Sequence, residues 1–209
     1  SITINEKIYV VGGRNASGQN LNQVLCFDPS SNQWTAMANM PTARHGVKLV
    51  WFEDRIWAIG GTSGSNSKKV ESYDLNTNSW QVEVSLTTAR HWPVAWVANG
   101  KIYAGGGGHL SSIEVYDPTT KQWANAGNFP ENKMVADAVV LNEKVYVIGG
   151  ETASGVYSNK VFAADLNIYD LYRKEGDAPV GTPVVQSEYA DGSVTTSKLD
   201  ATILKYLKP

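Results

Sequence analysis

Cysteine is nearly missing from this 209-residue chain: Cys26 stands alone. One cysteine cannot close an internal disulfide, and it excludes a thiolate metal cluster. Charge is also sparse, at 18% of residues against about 25% in ordinary soluble domains. The formal net charge is -2 and no basic run occurs, so the electrostatic footprint of a nucleic-acid or anionic-membrane binder is absent. No apolar stretch approaches the ~18 residues that a membrane-spanning helix needs. The opening Ser1-Ile2-Thr3-Ile4 has neither the charged start nor the apolar core of a secretory leader. Walker loop, dinucleotide fingerprint, nucleophile elbow and EF-hand ladder are all missing.

What is present in excess is Gly (19), Trp (7) and Tyr (10). That mix suits short strands, tight turns and flat aromatic packing, and suits long helices poorly. The glycines are ordered. Pairs occur at Gly12-Gly13, Gly60-Gly61, Gly106-Gly107 and Gly149-Gly150, spaced 48, 46 and 43 residues apart. Each pair ends the same apolar stretch: KIYVVGG, RIWAIGG, KIYAGGG and KVYVIGG. Before each stretch lies a two-residue turn: Asn5-Glu6, Glu53-Asp54, Asn99-Gly100 and Asn142-Glu143. Asn-Gly is a strong hairpin signal, and the others are weaker forms of it. After each of the first three pairs comes aromatic-Asp, at Phe27-Asp28, Tyr73-Asp74 and Tyr116-Asp117. A Trp follows each Asp at +6: Trp34, Trp80 and Trp123.

A Gly doublet, a Tyr-Asp and a Trp six residues on resemble the kelch repeat, over residues 2 to about 174. The resemblance implies an all-β fold of about four β-propeller blades, each four antiparallel strands, with Tyr and Trp packed between blades. The expected blades run over 1–42, 43–88, 89–131 and 132–175. First strands are expected at about 44–51, 91–98 and 135–141, with only the stub Ile2-Thr3-Ile4 in the first blade. The fourth blade departs from the pattern, because Ala164-Asp165 replaces Tyr-Asp; KVFAADL and IYDLYRK read as its last two strands. Residues 176–209 form a Pro/Gly-rich linker and a tail in which Leu199, Ile203 and Leu207 mark a short amphipathic helix over 198–207.

Four blades are fewer than the six or seven with which kelch propellers usually close. Three solutions stand: the chain is part of a longer product with further blades, two chains pair as a homodimer into an eight-bladed ring, or a four-bladed ring closes with 183–189 supplying a strand to blade one. The tail resembles a join in a large modular bacterial protein, which implies an extracellular or cell-surface location.

Arg44-His45 and Arg90-His91 occupy matching positions, each in Thr-Ala-Arg-His, and His109 follows the third Gly pair. In kelch adaptors, arginines at this place grip acidic peptides, and guanidinium geometry suits carboxylates. The alternative is an arginine that bonds interblade loop carbonyls. Asn132-Lys133-Met134 breaks the series in the fourth blade. The three histidines read as packed side chains rather than metal ligands, and the constellation of galactose-oxidase-type copper enzymes has no counterpart around Cys26. No metal or cofactor is expected. Trp92 follows Arg-His where the first blade has Gly46, and is a candidate to stack on a sugar; Trp51 and Trp96 also fall outside the repeat.

The function expected is a non-catalytic module that binds a protein or glycan through one propeller face, with Arg44, His45, Arg90, His91, Trp92 and His109 as candidate ligand residues. One alternative is a carbohydrate-active kelch enzyme of the sialic-acid mutarotase kind. That chemistry needs an acid or base beside an arginine, and no carboxylate is evident at repeat-matched positions. The other is an architectural segment of a surface protein.

Overall fold

A computed structural model of the chain describes residues 1–166 and a short strand at 187–189. Every named strand pairing is antiparallel, and four four-stranded sheets stand side by side as propeller blades. Blade 1 joins β1 (Ile2–Ile4), β2 (Lys7–Arg14), β3 (Asn20–Asp28) and β4 (Gln33–Met37). Blade 2 joins β5 (Lys48–Phe52), β6 (Arg55–Ile59), β7 (Val70–Asp74) and β8 (Ser79–Val82). Blade 3 joins β9 (Val94–Ala98), β10 (Lys101–Gly105), β11 (Leu110–Asp117) and β12 (Gln122–Lys133). In blade 4, β13 (Asp137–Leu141) and β14 (Lys144–Ile148) precede a side hairpin of β15 (Glu151–Ala153) and β16 (Val156–Tyr157). The blade then closes with β17 (Val161–Asp165) and β18 (Ser187–Tyr189).

Local chemistry sets these boundaries. All four two-residue turns hold both residues at positive φ, from Asn5 (49°) and Glu6 (62°) to Asn142 (49°) and Glu143 (59°). That is the type I′ geometry whose twist matches paired strands. The Asp of each aromatic-Asp pair closes the next turn: Asp28 Oδ1 accepts from Ser30 N, Asp74 Oδ1 from Asn76 N, and Asp117 Oδ1 from Thr119 N. The Ser30 hydroxyl and Lys7 hold the Asp28 carboxyl down to about 2. Across each turn the two aromatics meet at ring distances of 4.9 Å (Phe27–Trp34), 5.2 Å (Tyr73–Trp80) and 5.4 Å (Tyr116–Trp123).

The core comes in three pieces, and each lies between consecutive blades. Val24, Cys26 and Met40 pack against Ile56, Ala58 and Tyr73 between blades 1 and 2. Trp57, Ile59 and Val70 pack against Ile102, Tyr116 and Trp123 between blades 2 and 3. Trp96, Tyr103 and Phe129 pack against Val145, Val147 and Phe162 between blades 3 and 4. Among the described residues no such cluster joins blade 4 to blade 1.

Two expectations need correction. The first strands start at Lys48, Val94 and Asp137, so Arg44 and Arg90 lie in the loops before them. Ser187–Tyr189 pairs with β17 in the blade 4 sheet and therefore does not supply a strand to blade 1, which has β1. The segment IYDLYRK, expected as a strand of blade 4, lies outside the described residues. The helix expected over 198–207 also lies outside the described residues.

Candidate functional site

The repeat-matched arginines turn inward. Arg44 and Arg90 are both 0% exposed. Arg44 Nη1 donates to Glu71 Oε2 at 2.7 Å, and its Nη2 donates to the Ala58 carbonyl at 2.9 Å. Arg90 donates to Glu114 Oε1, to the Gly106 and Ser112 carbonyls and to the Ser112 hydroxyl. Burial lowers both guanidinium pKa values, and the neighbouring glutamate works against that shift. Lys133, the last residue of β12, fills the same place ahead of blade 4, bonding Glu131 and the Gly149 carbonyl, with its ammonium 4.5 Å from the Phe162 ring centroid.

The matched carboxylates are therefore Glu71 and Glu114, each two residues before the Tyr of Tyr-Asp. Blade 4 has Phe162 at that position and a lysine in place of arginine. These groups lock the loop to its own blade. Arg44 and Arg90 cannot grip an acidic peptide without leaving a buried carboxylate unpaired, which costs about 3–5 kcal/mol. The sequence signal was the recurrence of Glu-x-Tyr-Asp, which sequence reading passed over.

The residues after the buried cations do reach the surface. Gly46, Trp92 and Val135 hold the same repeat position, and all three have positive φ, of 64°, 49° and 58°. The backbone links them in series: Trp92 N donates to Gly46 O at 2.7 Å, and Val135 N donates to Trp92 O at 3.2 Å. Gly46 has to be small, because a Cβ there would lie 2.7 Å from Trp92 Nε1. The indole thus lies over Gly46, with ring centroids 5.8 Å from His45 and 5.1 Å from His91. Even so, Trp92 is 40% exposed and Val135 57%. A branched side chain in the left-handed region is disfavoured, and such strain gathers at functional surfaces.

Beside this collar is a cleft of about 250 Å³ lined by Val47, Lys48, Trp92, Pro93, Val135 and Asp137. Lys48 of β5 and Asp137 of β13 form an ion pair there, joining blades that are not neighbours. The Asp137 side chain is largely exposed, so the pair is worth no more than about 1 kcal/mol and is free to exchange partners.

The histidines split by role. His45 Nδ1 is 2.7 Å from Asn20 Oδ1. His91 and His109 each bury an Nδ1 without a hydrogen-bond partner. Burial, and then the charge of His109, push the His91 pKa down. No group of three or more His, Cys, Asp or Glu able to hold a metal ion occurs among the described residues. Of the six candidate ligand residues, the structure gathers His45, His91 and Trp92 at one face and buries both arginines. Val135 and the Lys48–Asp137 pair were missed, having no motif of their own.

Residues 1–150 match the family model described as the KLHDC2/KLHL20/DRC7 Kelch-repeats domain. Mouse Kelch-like protein 40 is 31% identical over 178 residues, covering 81% of this chain and 28% of that protein. Mouse Kelch-like protein 35 is 27% identical over 159 residues, covering 76% of this chain and 20% of that one. Alpha-scruin of Limulus polyphemus is 29% identical over 212 residues, covering 96% and 19%. The chain therefore spans under a third of the length of these relatives. The solved structure titled "Structure of YjhT" superposes with a TM-score of 0.66 at 22% identity, over 78% of this chain and 60% of that one. That likeness speaks to the fold.

Proposed function

Because this chain belongs to the kelch-repeat family, whose propellers typically serve as protein-interaction modules, we propose that it is a non-catalytic module that holds an extended segment of a partner protein at the Trp92–Val135 face. The observation that carries this reading is Trp92, kept 40% exposed in a left-handed conformation at the rim of a cleft. A rigid, half-exposed Trp at a concave rim is a common anchor of binding energy. The cleft volume bears on the ligand class. At about 250 Å³ it falls below the ~300–1,000 Å³ of small-molecule sites, and suits one apolar side chain of a longer ligand. The exchangeable Lys48–Asp137 pair offers that ligand a charge of either sign.

The test is selection of peptides on the immobilised full chain, followed by affinity measurement on the wild type and on Trp92→Ala. Loss of about tenfold or more in affinity, some 1.4 kcal/mol, with unchanged circular dichroism supports the reading. Equal affinity in the two proteins refutes it. An exposed Trp is also what a sugar ring stacks on, so binding on a glycan array with none on the peptide library would replace protein by glycan. Saturable sugar turnover would point to an enzyme. Silence in all three assays would leave the architectural reading.

A further inference from the structure

Histidine is scarce in this chain, with three residues in 209, and two of the three pack on Trp92. The indole meets His45 and His91 at ring distances of 5.8 Å and 5.1 Å. Both imidazoles are half-buried, so each keeps surface that a molecule laid over Trp92 would cover. Their nitrogens are held differently. His45 Nδ1 lies 2.7 Å from Asn20 Oδ1; an amide oxygen only accepts, so Nδ1 carries the proton and a second proton would go to Nε2. His91 Nδ1 is buried without a hydrogen-bond partner, and a Cβ on Gly108 would stand 3.3 Å from it. A proton gained at that nitrogen has no acceptor.

The charges around the two rings also favour the neutral form. The Gly108 N–H donates to the His91 carbonyl at 3.0 Å, which ties the loop before His109 to His91. Burial comes first for both rings; then His109 and His45 act on His91, and Arg14 acts on His45, all in the same direction. The carboxylates of the neighbouring loops and strands have cations of their own. Glu71 holds Arg44, Glu114 holds Arg90, and Asp137 holds Lys48 in the cleft beside the indole.

We propose that protons and the partner compete for this face, so that the module holds its segment at neutral pH and releases it in mild acid. This rests on the reading above, that Trp92 anchors a partner protein. A segment laid over the indole covers the flanking imidazoles as well, and taking water from them disfavours their charged form further. Linked equilibria are reciprocal: what the partner does to proton binding, the proton does to partner binding. The partner is therefore apolar or uncharged where it meets His45 and His91. A carboxylate at that place would favour the imidazolium and reverse the pH dependence. If the bound segment lowers the proton affinity of one ring about tenfold, its own affinity falls about tenfold across the titration.

The experiment has two readouts, both on the full chain, with circular dichroism confining the comparison to pH values at which it stays folded. The first is the affinity of a peptide selected on the immobilised chain at neutral pH, measured between about pH 7.5 and pH 5. It compares the wild type, Trp92→Ala and the double variant His45→Gln/His91→Gln. The wild type should weaken about tenfold as pH falls, and the double variant should lose most of that slope, whatever its affinity at neutral pH. The second readout needs no partner. Subtracting the fluorescence of Trp92→Phe isolates one indole among the seven, and an imidazolium beside an indole quenches it. That difference should fall as pH drops below 6.5 and stay level when the double variant carries both indole states. Affinity that is lost in Trp92→Ala but independent of pH in the wild type overturns this inference alone. Affinity that rises in acid, a slope kept in the double variant, or indole fluorescence that does not titrate overturns it too. Equal affinity in Trp92→Ala and the wild type overturns the Trp92 reading beneath it.

Discussion

Trp34, Trp80 and Trp123 hold the same place in successive repeats, yet Trp34 is 55% exposed and Trp123 only 6%. The local structure is the same, since each pairs across its strand with an aromatic at about 5 Å. What differs is whether a blade stands in front. The same contrast separates Ile59 from Ile148 at the other end of the series. Burial in a repeat fold therefore belongs to the joint between repeats, and stability is close to a sum of blade and joint terms.

The buried cations give the sharpest break. Arg90→Ala leaves Glu114 buried and unpaired and is expected to cost about 3–5 kcal/mol in urea denaturation. A loss below about 1 kcal/mol would show that water reaches the pair. The tryptophans test the joint directly. Trp123→Ala should cost about 3–5 kcal/mol, whereas Trp34→Ala should stay within about 0.5 kcal/mol, as surface substitutions do, at concentrations where the chain is monomeric. Equal losses would mean that blade 1 is covered after all.

The glycines sharpen the contrast at smaller scale. Gly60→Ala meets the Arg90 carbonyl at 2.6 Å and also places a Cβ in the left-handed region, a penalty of about 1–2 kcal/mol by itself. Gly149→Ala meets no such wall, so only the conformational penalty of about 1–2 kcal/mol remains. Thermal melts of the two variants should rank in that order.

The smallest effect is on pH dependence. Burial lowers the pKa of His45 and His91 below the ordinary 6.5. Between 6.5 and the folded values the unfolded chain binds more protons, so stability is full above 6.5 and falls as pH drops through that window. Both histidines sit where one blade follows another within the series, and Met134 takes their place in blade 4. Replacing both with Gln should flatten the melting temperature between about pH 7 and pH 5. A slope that persists unchanged would assign it to other groups.

Much of the fold was legible because its signals are local. An Asn5-Glu6 or Asn99-Gly100 pair between apolar runs encodes a type I′ turn whatever lies around it. Asp28 at the end of a strand closes its own turn two residues on. The site was less legible. Arg44 and Arg90 read as candidate ligands, and their partners Glu71 and Glu114 lie 27 and 24 residues away, so pairing depends on how β6, β7, β10 and β11 bring loop and strand together. The left-handed backbone at Trp92 and Val135 follows from no local preference, since neither residue favours it; only Gly46, at the matched position, hinted at it. The outer strand of blade 4 came from residues with no repeat signature at all.

The sequence by itself determined the repeat, the turns, the strand alternation and the order of the blades, because these depend on interactions within a few residues. Tertiary structure alone decided which copy of each repeated residue is buried, which carboxylate neutralises each arginine and which side chain is left at the mouth. The physical reason is the same in each case. Desolvation and charge pairing act through space across blade joints and between adjacent strands, and repeat-equivalent residues differ only in what stands across from them.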